Sequence, residues 1–120
     1  MDERLASLTV PETAHLIDAV LAIKENRSRC ALALAGERVV GVISEGDVMR
    51  ALLSGADVHS PLANWLNYGF KFLKSKDYAL ALDMMQRHGI TLVPVVGEAF
   101  ELLDVVTLGD VLSRVRYVGA

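Results

Sequence analysis

Two short stretches of this sequence place a hydroxyl residue and an aspartate three positions apart, with a glycine before the aspartate. They are Ser44-Glu45-Gly46-Asp47 and Thr107-Leu108-Gly109-Asp110, and they lie 63 residues apart. This spacing is typical of a capping box, in which each side chain accepts a hydrogen bond from the other residue's backbone N–H at a helix start. Such a cap contributes about 1 kcal/mol to stability. The same arrangement can also hold a ligand, and the spacing alone leaves both alternatives open.

The ligand-binding alternative depends on the glycines and on the helix end. A strand that runs straight into a helix presents unpaired N–H groups and a positive dipole end to an anionic group. Gly46 and Gly109 let a ligand approach the backbone closely, and a cap requires no glycine there. The hydroxyl can bind phosphate while the acid accepts from ribose hydroxyls, as acids do in other nucleotide-binding folds. The duplicated Gly-Asp pair therefore favours a nucleotide site.

The composition restricts the class of protein. The chain has 120 residues, of which 52% are hydrophobic and 22% charged, and this balance indicates a well-packed domain. Its formal charge of −3 argues against a nucleic-acid partner, because nucleic acids call for a basic face. We expect no membrane span, since no apolar run approaches the roughly 18 residues that one needs. The single cysteine, Cys30, cannot form an internal disulfide, so we expect a cytoplasmic location.

The sequence contains an internal repeat. An offset of 62 residues aligns Ala19-Val20 with Ala81-Leu82, and an offset of 63 aligns Val42-Ile43-Ser44 with Val105-Val106-Thr107. One residue inserted in the intervening turn reconciles the two offsets, since turns tolerate insertions best. The hydrophobic spacing of each half predicts the order β-α-β-β-α, which is a mixed α/β fold. The predicted helices are 13–26, 45–53, 77–88 and 108–115, and the predicted strands are 8–10, 30–34, 39–43, 70–73, 91–96 and 102–106.

The repeat also predicts the domain organisation. The first motif is expected over residues 1–57 and the second over 58–120, with 55–61 as the hinge. Neither half is long enough to build much core, so we expect the two to pack sheet to sheet as one pseudo-two-fold unit.

No catalytic or metal-binding constellation is evident in the sequence. His15, His59 and His88 are scattered without metal-ligand spacing, so no metal site is expected. Cys30 could be a nucleophile or a redox thiol, but an apolar strand surrounds it, which favours a small buried core residue. The sequence therefore predicts a protein that is not an enzyme.

Five stretches together resemble a known family. They are TVPETAHLIDAV, GVISEGDVMRALL, GADVHSPL, ALDMMQRHGITLVPVV and DVVTLGDVLSRV, and they resemble a tandem CBS-domain pair, or Bateman module. The hallmark of that family is a glycine-hydrophobe strand that ends in Ser/Thr-x-x-Asp, and residues 41–47 match it fully. Three residues depart from the pattern: Arg27 stands where glycine is usual, Leu32 where proline is usual, and Asp104 in place of the second hallmark glycine.

The resemblance implies a non-catalytic regulatory module. Members of the family bind AMP, ADP, ATP or S-adenosylmethionine as regulatory ligands, with no cofactor required, in two clefts between the paired sheets. The hallmark hydroxyl and acid contact phosphate and ribose, while the start of the first hairpin strand and the residues before the first helix hold the base and complete the pocket. Carried over to this chain, the site residues are Thr9, Val10, Arg29, Cys30, Ala31, Ser44 and Asp47 in the first half, and Leu73, Lys74, Ile90, Thr91, Leu92, Pro94, Thr107 and Asp110 in the second.

The resemblance also implies partners. A homodimer is expected, because the final helices carry apolar residues on more than one face. The family is often attached to, or acts on, an effector enzyme or transporter. The segment GADVHSPLANWLN resembles the linker of CBS pairs placed ahead of sugar nucleotidyltransferases, so the chain is alternatively the regulatory region of such an enzyme. A further alternative is a structural dimerisation module whose clefts are empty.

We expect the two clefts to differ. Arg29 lies near the entrance of the first, where it can meet phosphate charge. Lys71, Lys74 and Lys76 either protect a strand edge or supply a counter-charge at the second. Asp104 adds a negative charge there, although strand alternation turns it away from the hydroxyl residue. The first cleft is expected to tolerate more phosphates, and the second to prefer a nucleoside or a monophosphate.

Overall fold

The chain folds as two compact units, Met1–Phe70 and Lys71–Ala120. The computed structural model of the protein describes residues 1–119, and within them the side chains up to Arg114. Each unit combines helices with a small sheet, so the mixed α/β fold class predicted from the sequence is confirmed. Among the described residues, no helix is long and apolar enough to cross a membrane.

The first unit is a three-stranded sheet with its helices. Its strands follow the order β1-β2-β3, with β1 parallel to β2 and β2 antiparallel to β3. The elements in chain order are α1 (Glu3–Ser7), β1 (Thr9–Pro11), α2 (Leu16–Asn26), β2 (Cys30–Ala35), β3 (Arg38–Ser44), α3 (Glu45–Leu53) and a 3₁₀ turn over Leu62–Trp65.

The second unit repeats this design with one strand fewer. Its elements are α4 (Tyr78–His88), β4 (Leu92–Val96), β5 (Leu102–Thr107) and α5 (Leu108–Gly119), and β4 pairs antiparallel with β5. Where a strand was predicted at 70–73, the described chain has a single parallel bridge between Leu73 and Val95. That bridge corresponds to the pairing of Val10 with Ala33 in the first unit. The strand is therefore reduced to its central residue pair.

The strand registers confirm the internal repeat. Cys30 pairs with Ser44 in the first hairpin, and Leu92 pairs with Thr107 in the second. Each hairpin has its register shift at the same place, between residues 33 and 34 and between residues 95 and 96. The first turn then spans residues 35–38 and the second spans 97–101, so the inserted residue lies in the turn, as the two offsets predicted.

Helices α2 and α4 end in the same backbone conformation. Arg27 follows α2 with φ 57°, and Gly89 follows α4 with φ 66°. Glycine adopts this left-handed region without penalty, whereas a side chain makes it strained. The family glycine that Arg27 replaces is thus a position where the backbone favours glycine. The helix predicted from residue 13 begins at Leu16, because the His15 N–H donates to the Asp18 carboxylate at 2.9 Å and starts the first turn there.

Each unit has its own apolar core. Helix α2 buries the face that carries Leu16, Ala19 and Ile23, at the helical spacing seen in the sequence. Burying a leucine or isoleucine side chain stabilises the fold by about 1.5–3 kcal/mol. One buried cluster of the first unit comprises Val10, Leu16, Ala19, Ile23, Ala31, Ala33, Ile43, Val48, Ala51, Leu62 and Leu66, and one of the second comprises Leu73, Ala81, Met85, Val93, Val95, Val106 and Val111.

The segment from residue 58 to 70 packs onto the first unit. Pro61 bridges to His15, Leu62 is fully buried in the core, and Asn67 pairs with Val42 of β3 through two backbone hydrogen bonds of 2.8 and 3.0 Å. The compact units therefore divide at residues 70 and 71. The boundary between sequence motifs at residue 57 stays a prediction.

Candidate ligand-binding site

The junction between β3 and α3 is built as a closed capping box. Ser44 Oγ accepts from the Asp47 N–H at 3.2 Å, and Asp47 Oδ2 accepts from the Ser44 N–H at 2.9 Å. The Ser44 hydroxyl also donates to the same carboxylate oxygen, at 3.0 Å. The first N–H of the helix, that of Glu45, donates to the Arg29 carbonyl at 3.0 Å. The start of β2 is thus held against the start of α3.

Three charged side chains surround this β3–α3 junction. Arg29 Nε lies 3.6 Å from a Glu45 carboxylate oxygen. Arg50 folds back along α3, so that its guanidinium donates to Asp47 Oδ1. Both oxygens of the Asp47 carboxylate are therefore engaged, one by Ser44 and the other by Arg50.

The junction between β5 and α5 repeats the backbone arrangement. Asp110 Oδ2 accepts from the Thr107 N–H at 2.9 Å, and Thr107 Oγ1 accepts from the Asp110 N–H at 3.1 Å. The first N–H of α5, that of Leu108, donates to the Thr91 carbonyl at 2.8 Å. The two junctions are therefore equivalent in their hydrogen-bonded frame.

The side chains around the two frames differ in charge. By these matched hydrogen bonds, Arg29 corresponds to Thr91 and Glu45 to Leu108. Counting three residues on from each aspartate, Arg50 corresponds to Ser113. All three charged positions of the β3–α3 junction are uncharged at the β5–α5 junction.

Several predicted site residues lie together at one end of each sheet. Cys30 at the start of β2 pairs with Ser44 at the end of β3, and Thr9 starts the parallel strand β1 beside Leu32. In the second unit, Thr91 and Leu92 lie beside Thr107. Several residues predicted to form the site therefore lie close together at one end of the sheet in each unit.

Many of the predicted residues have buried side chains. These are Val10, Cys30, Ala31, Leu73, Leu92 and Pro94, whereas Thr9, Arg29, Ser44, Asp47, Lys74, Ile90, Thr91, Thr107 and Asp110 keep some exposure. Buried members can shape a site or offer backbone groups, while polar contacts must come from the exposed ones. The register also shows that Leu73 is the counterpart of Val10 and that Lys74 is the counterpart of Pro11.

Two of the three lysines named from the sequence, Lys74 and Lys76, have partners within the second unit. Lys74 Nζ lies 5.7 Å from the Phe72 ring centre and 5.4 Å from that of Phe100, and the two rings meet edge to face. Lys76 Nζ lies 3.0 Å from a carboxylate oxygen of Asp104. The hydrogen bond that Lys76 donates to Asp104, with a contribution from Tyr78, raises the pKa of Lys76 above its usual value. The extra negative charge of Asp104 is therefore offset by a lysine.

The hallmark glycine of the first unit is required by packing. A methyl group at Gly41 would lie 3.1 Å from Leu66 Cβ and 3.3 Å from the Asn67 carbonyl oxygen. A side chain at this position would therefore require the segment that pairs with β3 at Val42 to shift by a few tenths of an ångström. In the second unit the same register position, opposite Val95, holds Asp104.

Two residues at or near the β3–α3 junction, Asn26 and Arg50, were not predicted from the sequence as parts of the site. Asn26 Nδ2 donates to the carbonyls of Ser7 and Cys30, at 3.1 and 3.2 Å, and so joins the starts of β1 and β2. Arg50 was missed as the partner of Asp47, although an arginine three residues after an aspartate on a helix is a recognisable pairing.

A hollow of about 460 Å³ lies on the first unit and is a separate feature. Its lining includes the predicted residues Thr9 and Val10 together with the acids Asp18 and Glu25, but neither Ser44 nor Asp47. Within the described residues, no group of three or more His, Cys, Asp or Glu side chains is placed to hold a metal ion.

The sequence model of the CBS domain family matches residues 4–54 and again residues 78–117. This chain belongs to the CBS domain family. Each CBS match contains one of the two hydroxyl–aspartate junctions, so the repeat found in the sequence is a repeat of CBS motifs. The prediction of a tandem CBS module is confirmed.

Comparison with other CBS proteins gives relatives of greater length. An uncharacterized protein of Helicobacter pylori is 33% identical over 109 residues, which are 88% of this chain and 33% of that protein. Arabinose 5-phosphate isomerase GutQ of Escherichia coli K12 is 32% identical over 104 residues, which are 82% of this chain and 31% of that protein. The chain spans about a third of the length of these curated relatives.

Among solved structures, the chain is similar to a CBS domain protein from Pyrobaculum aerophilum complexed with AMP. The two share 28% identity with a TM-score of 0.74, over 92% of this chain and 91% of that chain. The similarity covers both CBS motifs, because it extends over nearly the whole of each chain.

Proposed function

We propose that the chain is a non-catalytic regulatory module that binds an adenosine nucleotide at its strand–helix junctions. The observation that carries the proposal is the duplicated frame, in which a hydroxyl, a glycine and an aspartate recur with the same hydrogen bonds. A fold neighbour complexed with AMP supports adenosine as the nucleoside. ADP, ATP and S-adenosylmethionine carry the same adenosine group and remain within the proposal.

Each residue of the frame has a role in the proposed binding. The Ser44 hydroxyl, which now donates to Asp47, would donate to phosphate instead. Asp47 and Asp110 would accept from ribose hydroxyls, as acids do in other nucleotide folds. The base would contact the start of the first hairpin strand, which comprises Arg29, Cys30 and Ala31 in the first unit and Ile90, Thr91, Leu92 and Pro94 in the second. Thr9, Val10, Leu73 and Lys74 would complete the pockets.

Thermal unfolding in the presence of candidate ligands tests this proposal. A ligand at about 100 times its dissociation constant stabilises the folded state by about 2.7 kcal/mol. For a domain of this size that shift raises Tm by several degrees. We expect an increase with AMP, ADP, ATP or S-adenosylmethionine and none with the guanosine nucleotides used as controls. No increase with any adenosine ligand at millimolar concentration would favour a structural dimerisation module instead.

We also propose that the module assembles as a homodimer. Among the described side chains of α3 and α5, four large apolar ones are exposed: Met49 at 60%, Leu52 at 42%, Leu53 at 80% and Leu112 at 52%. A two-fold contact would remove this area from water. Sedimentation should give about twice the 13.0 kDa mass of the chain at micromolar concentration, and a monomer would contradict the proposal. Cys30 is the single cysteine of the sequence and its thiol is buried, which supports a reducing, cytoplasmic location.

A second candidate function is the regulatory region of a larger protein. The match to arabinose 5-phosphate isomerase GutQ supports a sugar-phosphate enzyme as the attached effector, because this chain covers only 31% of that isomerase. A sugar nucleotidyltransferase or a transporter is the alternative effector. Mass spectrometry of the protein purified from its source would distinguish a chain of 13.0 kDa from a longer one.

A further inference from the structure

Arg50 occupies the β3–α3 junction at the point where a ligand would approach the backbone. Its guanidinium donates to Asp47 Oδ1, while the other oxygen of that carboxylate is held by Ser44. A methyl group added at Gly46 would lie 3.5 Å from a guanidinium nitrogen of Arg50. The arginine therefore lies on the glycine turn and on the acid at the same time.

The Arg50–Asp47 pair is exposed enough for a ligand to reach it. The Arg50 side chain is 68% exposed, whereas the Asp47 side chain is 19% exposed. A long, exposed side chain can turn toward an incoming anion at little cost in packing. Guanidinium also matches the geometry of phosphate, to which it can donate two hydrogen bonds.

Among the described side chains, no cation lies beside the glycine of the β5–α5 junction. Ser113 stands three residues after Asp110, where Arg50 stands after Asp47. Around Gly109 the nearest neighbour is Thr107 Oγ1, at 3.6 Å from the position of an added methyl group. The glycine turn of the second junction is therefore flanked by a hydroxyl and not by a guanidinium.

Arg29, the other arginine near the first junction, would contribute less to a preference for phosphate. Arg29 lies 3.6 Å from the Glu45 carboxylate, and both side chains are more than half exposed. Glu45 partly offsets the charge that Arg29 would offer to a phosphate. Arg50 donates to the aspartate that the proposed function assigns to ribose and also lies beside the Gly46 turn, so a phosphate bound at that turn would be within its reach.

We infer that Arg50 is a specificity-determining residue, which gives the β3–α3 junction a preference for phosphorylated over neutral adenosine ligands. The inference rests on the proposed function. Arg50 favours AMP through charge-assisted hydrogen bonds to its phosphate and disfavours adenosine, which must compete with the guanidinium for Asp47. The β5–α5 junction, with Ser113, discriminates less.

Nuclear magnetic resonance titration tests the inference one junction at a time. The amide signals of Gly46 and Gly109 report the two junctions separately in the full chain, with adenosine and AMP as the probes. In Arg50→Ser, we expect the ratio of AMP affinity to adenosine affinity to fall about tenfold at Gly46, the size of one charge-assisted contact. The ratio at Gly109 should not change. The reciprocal Ser113→Arg should raise the ratio at Gly109.

Two further variants separate charge from structure. Arg50→Lys keeps the positive charge and should keep most of the preference for AMP. Arg87→Ser is the matched control, because Arg87 also pairs with an aspartate on its own helix, Asp83 at 2.9 Å, and is 71% exposed. That substitution should leave the ratio unchanged at both glycines. The preference of the wild type should also weaken with added salt, which screens exposed charges.

The outcomes that overturn the inference differ from those that overturn the proposed function. If Arg50→Ser weakens AMP and adenosine by equal factors, or leaves their ratio unchanged, Arg50 only supports the cap and the inference is wrong. If the wild type binds neither AMP nor adenosine at either glycine, the proposed function fails and the inference fails with it.

Discussion

At the β3–α3 and β5–α5 junctions, the same three backbone N–H hydrogen bonds recur around different side chains. The first junction carries Arg29, Glu45 and Arg50, and the second carries Thr91, Leu108 and Ser113 at the matching positions. The frame is built from bonds between neighbours in sequence and across one strand pair, so it tolerates any exposed side chain around it. The comparison indicates that the fold fixes where a ligand can bind, while the exposed positions decide which ligand is preferred.

A second contrast concerns β3 and β5 at the position of the hallmark glycine. Gly41 lies under Leu66 and Asn67, whereas Asp104 meets Lys76 at 3.0 Å. The glycine is needed only where another segment crosses the strand. The departure of Asp104 from the family pattern therefore has a local explanation, and it need not disable the second junction.

The largest effect is expected from exchanging those two residues. Gly41→Asp places a side chain against Leu66 and buries a carboxylate, so we expect a loss of about 3 kcal/mol of unfolding free energy. Urea denaturation measures this loss. The reciprocal Asp104→Gly removes an ion pair with an exposed lysine and should cost much less. Equal losses in the two variants would mean that packing against the 66–67 segment does not explain the glycine.

The next largest effect is expected on ligand affinity when each of the two aspartates is replaced separately. Asp47→Ala and Asp110→Ala should each weaken an adenosine nucleotide by about 1.5–3 kcal/mol at its own junction, because a charged hydrogen-bond acceptor is lost. The other junction should change little, since distant sites are usually additive. Calorimetry on the two variants separately gives the affinities.

Stability provides the control for that pair of aspartate variants. Each substitution also opens a capping box and should cost about 1 kcal/mol of unfolding free energy at either junction. If both variants lose this stability but bind nucleotides as the wild type does, the aspartates only cap helices. If both weaken every nucleotide equally, the two junctions are equivalent or coupled.

The smallest effect concerns the ends of α2 and α4. Arg27 is exposed and adopts φ 57°, so Arg27→Gly should relieve backbone strain and stabilise the protein by about 0.5–1 kcal/mol. The reverse change, Gly89→Arg, should destabilise it by a similar amount, because Gly89 has φ 66°. Thermal unfolding resolves both shifts. Destabilisation by Arg27→Gly would show that the Arg27 side chain contributes more than its backbone costs.

Local patterns in the sequence predicted much of the fold. The two offsets of the repeat predicted the longer second turn, because an inserted residue is tolerated best in a turn. The capping boxes were also predictable, since each joins residues three positions apart. Helix α1 was not predicted, and the strand expected at 70–73 is a single bridge between Leu73 and Val95.

The sequence by itself determined the repeat, the order of its elements and the hydroxyl–aspartate frames. All of these depend on periodicity or on contacts between residues close in the chain. Tertiary structure decided what the side chains meet: Leu66 over Gly41, Lys76 beside Asp104, and Lys74 against the rings of Phe72 and Phe100. These pairs join residues 25 or more positions apart, except for Lys74 with Phe72. Their meeting depends on how the strands and the 58–70 segment pack, which no local spacing specifies.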